Sequence, residues 1–244
     1  MATFVLVHGA WTGGWFWWRV GKALQEAGHQ VVRPTLTGCG ERSHLASPQV
    51  NLSLHIDDIA NALRFEDVHR VVLVGHGYGG MAITGAADRE PARIHHLVYV
   101  DAFAPDNGHS SLALAGNEAA ARLRTAAAEK GEGWQVPLPF KLDEFGITAE
   151  VDMRWLTHRL TPMPLAALEQ PIALEGHIPP RTPRTFIHGA HSAVQPFSDI
   201  AARLKSAARP GAPAWHYKEV ATGYYSPVTA PKELAALLID CAPQ

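Results

Sequence analysis

Apolar runs recur along the chain, separated by stretches in which apolar positions return every third or fourth residue. The runs Thr3 to His8, Gln30 to Arg33, Arg70 to Val74, Ile94 to Asp101, Arg184 to His188 and Ala214 to Val220 have β-branched or aromatic centres, as strands covered on both faces do. Helical spacing fills the intervals at Trp15 to Glu26, Leu54 to Leu63, Gly79 to Asp88, Phe197 to Ser206 and Pro231 to Asp240, the last with a first-turn proline. Strand and helix in alternation predict βαβ units: an α/β protein with a six-stranded, mainly parallel sheet and helices on both faces. From about 105 to 183 the pattern changes to an Ala-rich helical piece (Glu118 to Lys130), Trp134, Trp155 and many prolines. This reads as a cap inserted over the carboxyl edge of the sheet.

Composition narrows the class. With 244 residues, 47% hydrophobic and 18% charged, residues 1–244 read as one globular domain with a sizeable core. A net charge of −2, with the basic residues scattered, gives no electrostatic reason for a nucleic-acid or anionic-membrane partner. The two cysteines, Cys39 and Cys241, have no metal-ligand spacing and point to a reducing compartment. The first apolar run meets His8-Gly9 too soon for a signal peptide, and none is of membrane-spanning length. The expected location is therefore cytoplasmic. The histidines lack the paired spacing of a zinc or iron site and no organic cofactor motif occurs, so neither metal nor cofactor is expected.

The stretch Val71-Val72-Leu73-Val74-Gly75-His76-Gly77-Tyr78-Gly79-Gly80 has the Gly-x-nucleophile-x-Gly frame of a strand-to-helix elbow, with Gly77 where the nucleophile belongs. A dinucleotide loop is the competing reading, but the first strand carries no Gly-x-Gly-x-x-Gly and Gly75 to Gly80 lacks that spacing. Other pieces stand in order beside the elbow. They are His8-Gly9-Ala10-Trp11-Thr12-Gly13-Gly14-Trp15, Thr37-Gly38-Cys39-Gly40-Glu41-Arg42-Ser43-His44, Asp101-Ala102-Phe103 and Val228-Thr229-Ala230-Pro231. Through them essentially the whole chain resembles the α/β-hydrolase superfamily, in the small single-domain branch that holds esterases and hydroxynitrile lyases.

That resemblance implies a nucleophile, an acid and a histidine in three loops. The three slots hold Gly77, Ser192 (within His188 to Pro196) and Tyr224 (after Gly223). It also implies an oxyanion hole made of backbone, from the N–H of Tyr78 and that of Ala10 or Trp11, neither of which needs a side chain at Gly77. Tyr224 in the histidine slot points its phenol toward the elbow as an acid or clamp, or fills space against Tyr225 and Trp15. His8 and His76 brace the loops behind the elbow, with His76 a secondary candidate for substrate contact. Asp101 bonds the first turn of the cap or touches substrate, and Glu41 with Arg42 forms an ion pair. An apolar, aromatic pocket is expected from Trp11, Tyr78, Phe103, Trp134, Phe140, Trp155 and Tyr224.

With all three slots changed, the expectation is a cofactor-independent, non-hydrolytic enzyme of secondary metabolism: a cyclase, isomerase, dehydratase or lyase. It would act on a hydrophobic aromatic or polyketide-like small molecule through the retained oxyanion hole. One alternative is a non-catalytic small-molecule-binding protein. Another is an esterase with a relocated or altered nucleophile. The cap and the last helix are the surfaces offered for a homodimer contact.

Overall fold

The computed structural model describes residues 1–207 and 215–243. Eight strands are described: β1 (Thr3–Val7), β2 (Gln30–Val32), β3 (Val71–Gly77), β4 (Ile94–Ala102), β5 (Gln135–Val136), β6 (Met163–Pro164), β7 (Arg184–Gly189) and β8 (Trp215–Val220). The described helices are α1 (Trp18–Glu26), α2 (Leu52–Phe65), α3 (Gly79–Arg89), α4 (Ser111–Ala115), α5 (Asn117–Lys130), α6 (Glu150–Thr157), α7 (Leu165–Glu169), α8 (Phe197–Ala207), α9 (Ser226–Thr229) and α10 (Pro231–Ile239).

Six strands form one sheet in the order β2-β1-β3-β4-β7-β8, and every pairing in it is parallel. All six expected strands are present. The expected start of the last one, Ala214, lies outside the described residues. The central strands β1 and β3 are buried almost throughout, because helices cover both faces. Burial of Phe4, Leu6, Leu73, Val98 and Ile187 makes the core continuous across the sheet.

β3 runs through the elbow to Gly77, and α3 begins two residues later. The turn is tight enough that a Cβ on Gly80 would overlap the Phe103 carbonyl, and one on Gly79 would press on the carbonyls of Val7 and His8. Phe103 N–H in turn donates to Gly77 O at 3.0 Å, tying the loop after β4 to the elbow. α2 starts at an Asn51 cap, whose side chain accepts from Leu54 N–H at 3.0 Å.

Between β4 and β7 the chain carries α4 to α7 and the short antiparallel pair β5–β6. The expected Ala-rich helix is α5. The other elements there are helices of four to eight residues or two-residue strands, too short for a periodic signal. No described helix is long and apolar enough to cross a membrane.

Candidate active site

A cavity of about 430 Å³ opens above the carboxyl ends of β1 and β3, within the range of small-molecule sites. Its inner wall is made by Ala10, Trp11, Tyr78, Phe103 and Tyr224, five of the residues expected to act together. Ala10 and Trp11 come from the loop after β1. Tyr78 is the N-cap residue of α3, so its N–H points out of a helix N-terminus. Among the described residues, the N–H groups of Ala10, Trp11 and Tyr78 enter no backbone hydrogen bond of a turn, loop or cap. Trp11 has φ +64°, a left-handed conformation uncommon for a bulky residue. Its indole N–H donates to Val136 O at 2.9 Å, fastening this loop to β5.

Gly77 has φ +53°, in the left-handed region expected of an elbow. The side chain nearest to where its Cβ would stand is Tyr224, whose hydroxyl oxygen would overlap that carbon. The phenol thus occupies the volume in which a nucleophile's side chain would begin. Phe197 stacks on the Tyr224 ring at 5.2 Å and 9°, and Phe145 lies 5.2 Å away on another side. Burial, reinforced by Tyr225 and Asp101, lifts the Tyr224 pKa well above the ordinary tyrosine value. Its hydroxyl therefore stays protonated at neutral pH and is available as a hydrogen-bond donor toward the cavity. Trp15, the expected packing partner, lies instead against Trp155.

Several expected site residues are elsewhere. Ser192 lies in the turn after β7, where its N–H donates to Gly189 O and its hydroxyl faces Val194 N–H at 3.4 Å, off the cavity wall. Trp155 on α6 is taken up by Trp15 at 5.1 Å and by the guanidinium groups of Arg19 and Arg159, each 5.2 Å from its ring. Trp134 sits in the turn leading to β5, its backbone bonded to Gly131 and Leu165. His76 is 1% exposed and lies behind the elbow, with Nε2–H donating to Tyr224 O at 3.1 Å. Burial pushes its pKa down to about 4, so the ring is neutral and braces the Tyr224 loop rather than meeting substrate.

His8 has the bracing role expected of it. Its Nδ1–H donates to Gly9 O and its Nε2 accepts from Leu36 N–H, again as a neutral ring with a pKa pushed down by burial to about 4. Asp101 does not reach the β4–β7 segment. It is fully buried at φ +40°, accepts from His188 Nδ1 at 2.5 Å and from Gly189 N–H at 3.0 Å, and so joins β4 to β7. Burial raises its pKa against the pull of these two bonds. Asp101 and His188 form an acid–histidine pair, but neither lines the cavity. Glu41 and Arg42 do not pair with each other. Glu41 accepts from the Thr35 hydroxyl and Arg42 reaches Asp58.

The outer wall brings in residues that sequence reasoning passed over. In the sequence Phe197 marks only the start of a helix, and Phe145 carries no motif. Polar groups at this wall come from Glu118, Arg122 and Glu144, with Arg122 lying over the Phe140 ring at 4.2 Å. Among the described residues, no group of three or more histidine, cysteine or acidic side chains is placed to hold a metal ion.

A doubly covered parallel sheet, an elbow between β3 and α3, and unspent backbone donors above the strand ends define a hydrolase-type scaffold. Known proteins agree. The model of the alpha/beta hydrolase family matches residues 4–237. The carbendazim hydrolyzing esterase of Nocardioides sp. (strain SG-4G) is 39% identical over 246 residues, covering 98% of each chain. Methylesterase 2 of Arabidopsis thaliana is 29% identical over 170 residues, 64% of this chain and 59% of its own. A solved extracellular α/β-hydrolase from a Paenibacillus species superposes with a TM-score of 0.85 over the whole of both chains at 21% identity, a likeness of fold. This chain belongs to the alpha/beta hydrolase family. The expectation of a non-hydrolytic enzyme is overturned by this kinship, since the relative matching at full length is named a hydrolysing esterase and another is named a methylesterase.

Proposed function

We propose that the protein is an esterase acting on hydrophobic carboxylic esters by direct attack of water. Full-length kinship with an esterase supports the reaction class. The observation that carries the mechanism is the convergence of the Ala10 and Tyr78 loops with the Tyr224 hydroxyl on one cavity wall. The ester carbonyl oxygen sits between the N–H groups of Tyr78 and Ala10, each worth about 3 kcal/mol of barrier lowering. Gly77 offers no atom for acyl transfer. Water therefore adds to the carbonyl carbon, held beside the Tyr224 hydroxyl. The carbonyl π electrons move onto the oxygen, and collapse expels the alkoxide, which takes up the proton that the water gives away. With no strong base at the elbow, esters of good leaving groups such as phenols are favoured. The lining of Trp11, Phe103, Phe140, Phe145 and Phe197 suits an aromatic acyl or alcohol part. The β4–β7 segment serves as the cap, and two free, buried cysteines fit a cytoplasmic setting.

Hydrolysis of 4-nitrophenyl esters tests this reading. Turnover should exceed that of the heat-denatured protein, with no burst and no acyl adduct in the intact mass. Tyr224→Phe should lower kcat about 10- to 100-fold, below or at the low end of the loss of an oxyanion-hole donor. Turnover no faster than buffer overturns the proposal, and an acyl adduct replaces the water step with a side-chain nucleophile.

A further inference from the structure

The loop after β2 and the helix α2 stand behind the cavity and hold a chain of bonds that the reaction does not use directly. His55 on α2 is fully buried. Its Nε2 is 2.8 Å from Thr37 O, and its Nδ1 is 2.9 Å from the Tyr78 hydroxyl. A carbonyl oxygen only accepts, so Nε2 carries the ring proton and Nδ1 of the neutral ring accepts from Tyr78. Burial lowers the His55 pKa and keeps the ring in this form. Thr37 is held in turn. Its N–H donates to Asp58 Oδ2 at 2.6 Å and its hydroxyl to Asp58 Oδ1 at 2.9 Å, while Arg42 bonds both Asp58 and Thr35 O. Asp58 stands three residues after His55, on the same face of α2.

We infer that His55 is a positioning residue, which through the Tyr78 hydroxyl fixes the rotation of the residue whose backbone N–H serves the oxyanion hole. The inference rests on the hydrolase reading above. Tyr78 is the N-cap residue of α3 but its side chain makes no cap bond. Its ring is 2% exposed and forms part of the cavity wall, with the hydroxyl directed away to His55. A side chain anchored at its far end leaves its own backbone little freedom to turn. Misplacing a donor by a fraction of an ångström weakens a transition-state contact more than a ground-state one. The signature is therefore a loss in kcat with KM held.

The test uses Tyr78→Phe, His55→Phe, the double variant and His55→Gln, which can still accept from Tyr78 and donate to Thr37. Two quantities are measured: steady-state hydrolysis of a 4-nitrophenyl ester and the ¹H–¹⁵N resonance of the Tyr78 amide. Each Phe variant should lose about tenfold in kcat, a small misplacement rather than removal of the donor. The double variant should be no worse than the poorer single one, and the Gln variant should recover most of the loss. The Tyr78 amide should shift in both Phe variants and return toward wild type in the Gln variant. An unchanged kcat and amide resonance in Tyr78→Phe overturns the inference, as do losses that multiply in the double variant. Should the wild-type protein fail to turn over the ester, the hydrolase reading falls, and the amide resonance alone decides whether His55 sets the Tyr78 backbone. Tyr78→Phe keeps the test available if His55→Phe does not fold.

Discussion

A Cβ placed on Gly77 overlaps the Tyr224 hydroxyl oxygen yet stands 3.5 Å from the ring carbon that bears it, an ordinary contact. The steric conflict is therefore with one oxygen atom, separable by mutation from the strain that φ +53° places on any side chain at this position. Gly77→Ser should lower Tm by several degrees, from overpacking of about 1–3 kcal/mol at roughly 2–4 °C per kcal/mol in a chain of this size. Adding Tyr224→Phe removes the overlapping atom and should restore the overpacking part of that loss, while the left-handed strain at position 77 stays. Thermal melts of the two singles and the double measure the coupling. Additive changes in Tm mean that the two side chains do not share the space.

Among the elements, α6 is pinned by one side chain of α1. Arg19 donates to Val228 O in α9 at 2.7 Å, pairs with Asp152 at 2.6 Å and lies over Trp155. Its side chain is about a quarter exposed, so the charged contacts are screened and the packing matters as much as the charge. Arg19→Ala should cost about 1–2 kcal/mol, from the ring contact and a partly buried pair. It should also speed amide exchange over Glu150–Thr157 more than in α2. Equal exchange in the two helices shows that Arg19 does not hold α6. The main sheet was legible in sequence because strands covered on both faces must be apolar throughout, and the helices between them because one face must be apolar. Trp155 was misread for a related reason: an aromatic residue in a short helix declares that it is covered, and not by what. Ala10, Tyr78 and Tyr224 were placed by position in a motif. Phe145 and Phe197 reach the same cavity from segments whose approach depends on the whole fold, and no local pattern marks that.

For the molecule as a whole, four buried neutral histidines set the response to acid, His55 with its lowered pKa among them. His8, His76 and His96 have pKa values pushed down to about 4 by burial, against 6.5 in the unfolded chain. Between these values the unfolded chain binds protons that the folded one refuses, so stability falls as pH falls. Above 6.5 both states leave the rings neutral, and the contribution is complete. Asp101 works the other way, because its raised pKa lets the folded state take a proton first. Four histidines outweigh it. Urea midpoints should be level from pH 8 to about 7 and drop steadily toward pH 5, the window set by the histidine values. A midpoint unchanged at pH 5 means that these rings are hydrated or already protonated in the folded protein.

The shared volume at Gly77 and Tyr224 also constrains how such a sequence can change. A serine arriving first at the elbow runs into the phenol, and a histidine arriving first at 224 finds no hydroxyl to activate. Neither single step gains a working nucleophile, and the first one loses stability. The pair thus behaves as a ratchet: with Gly at 77 and Tyr at 224, a serine at the elbow finds room only when position 224 changes with it.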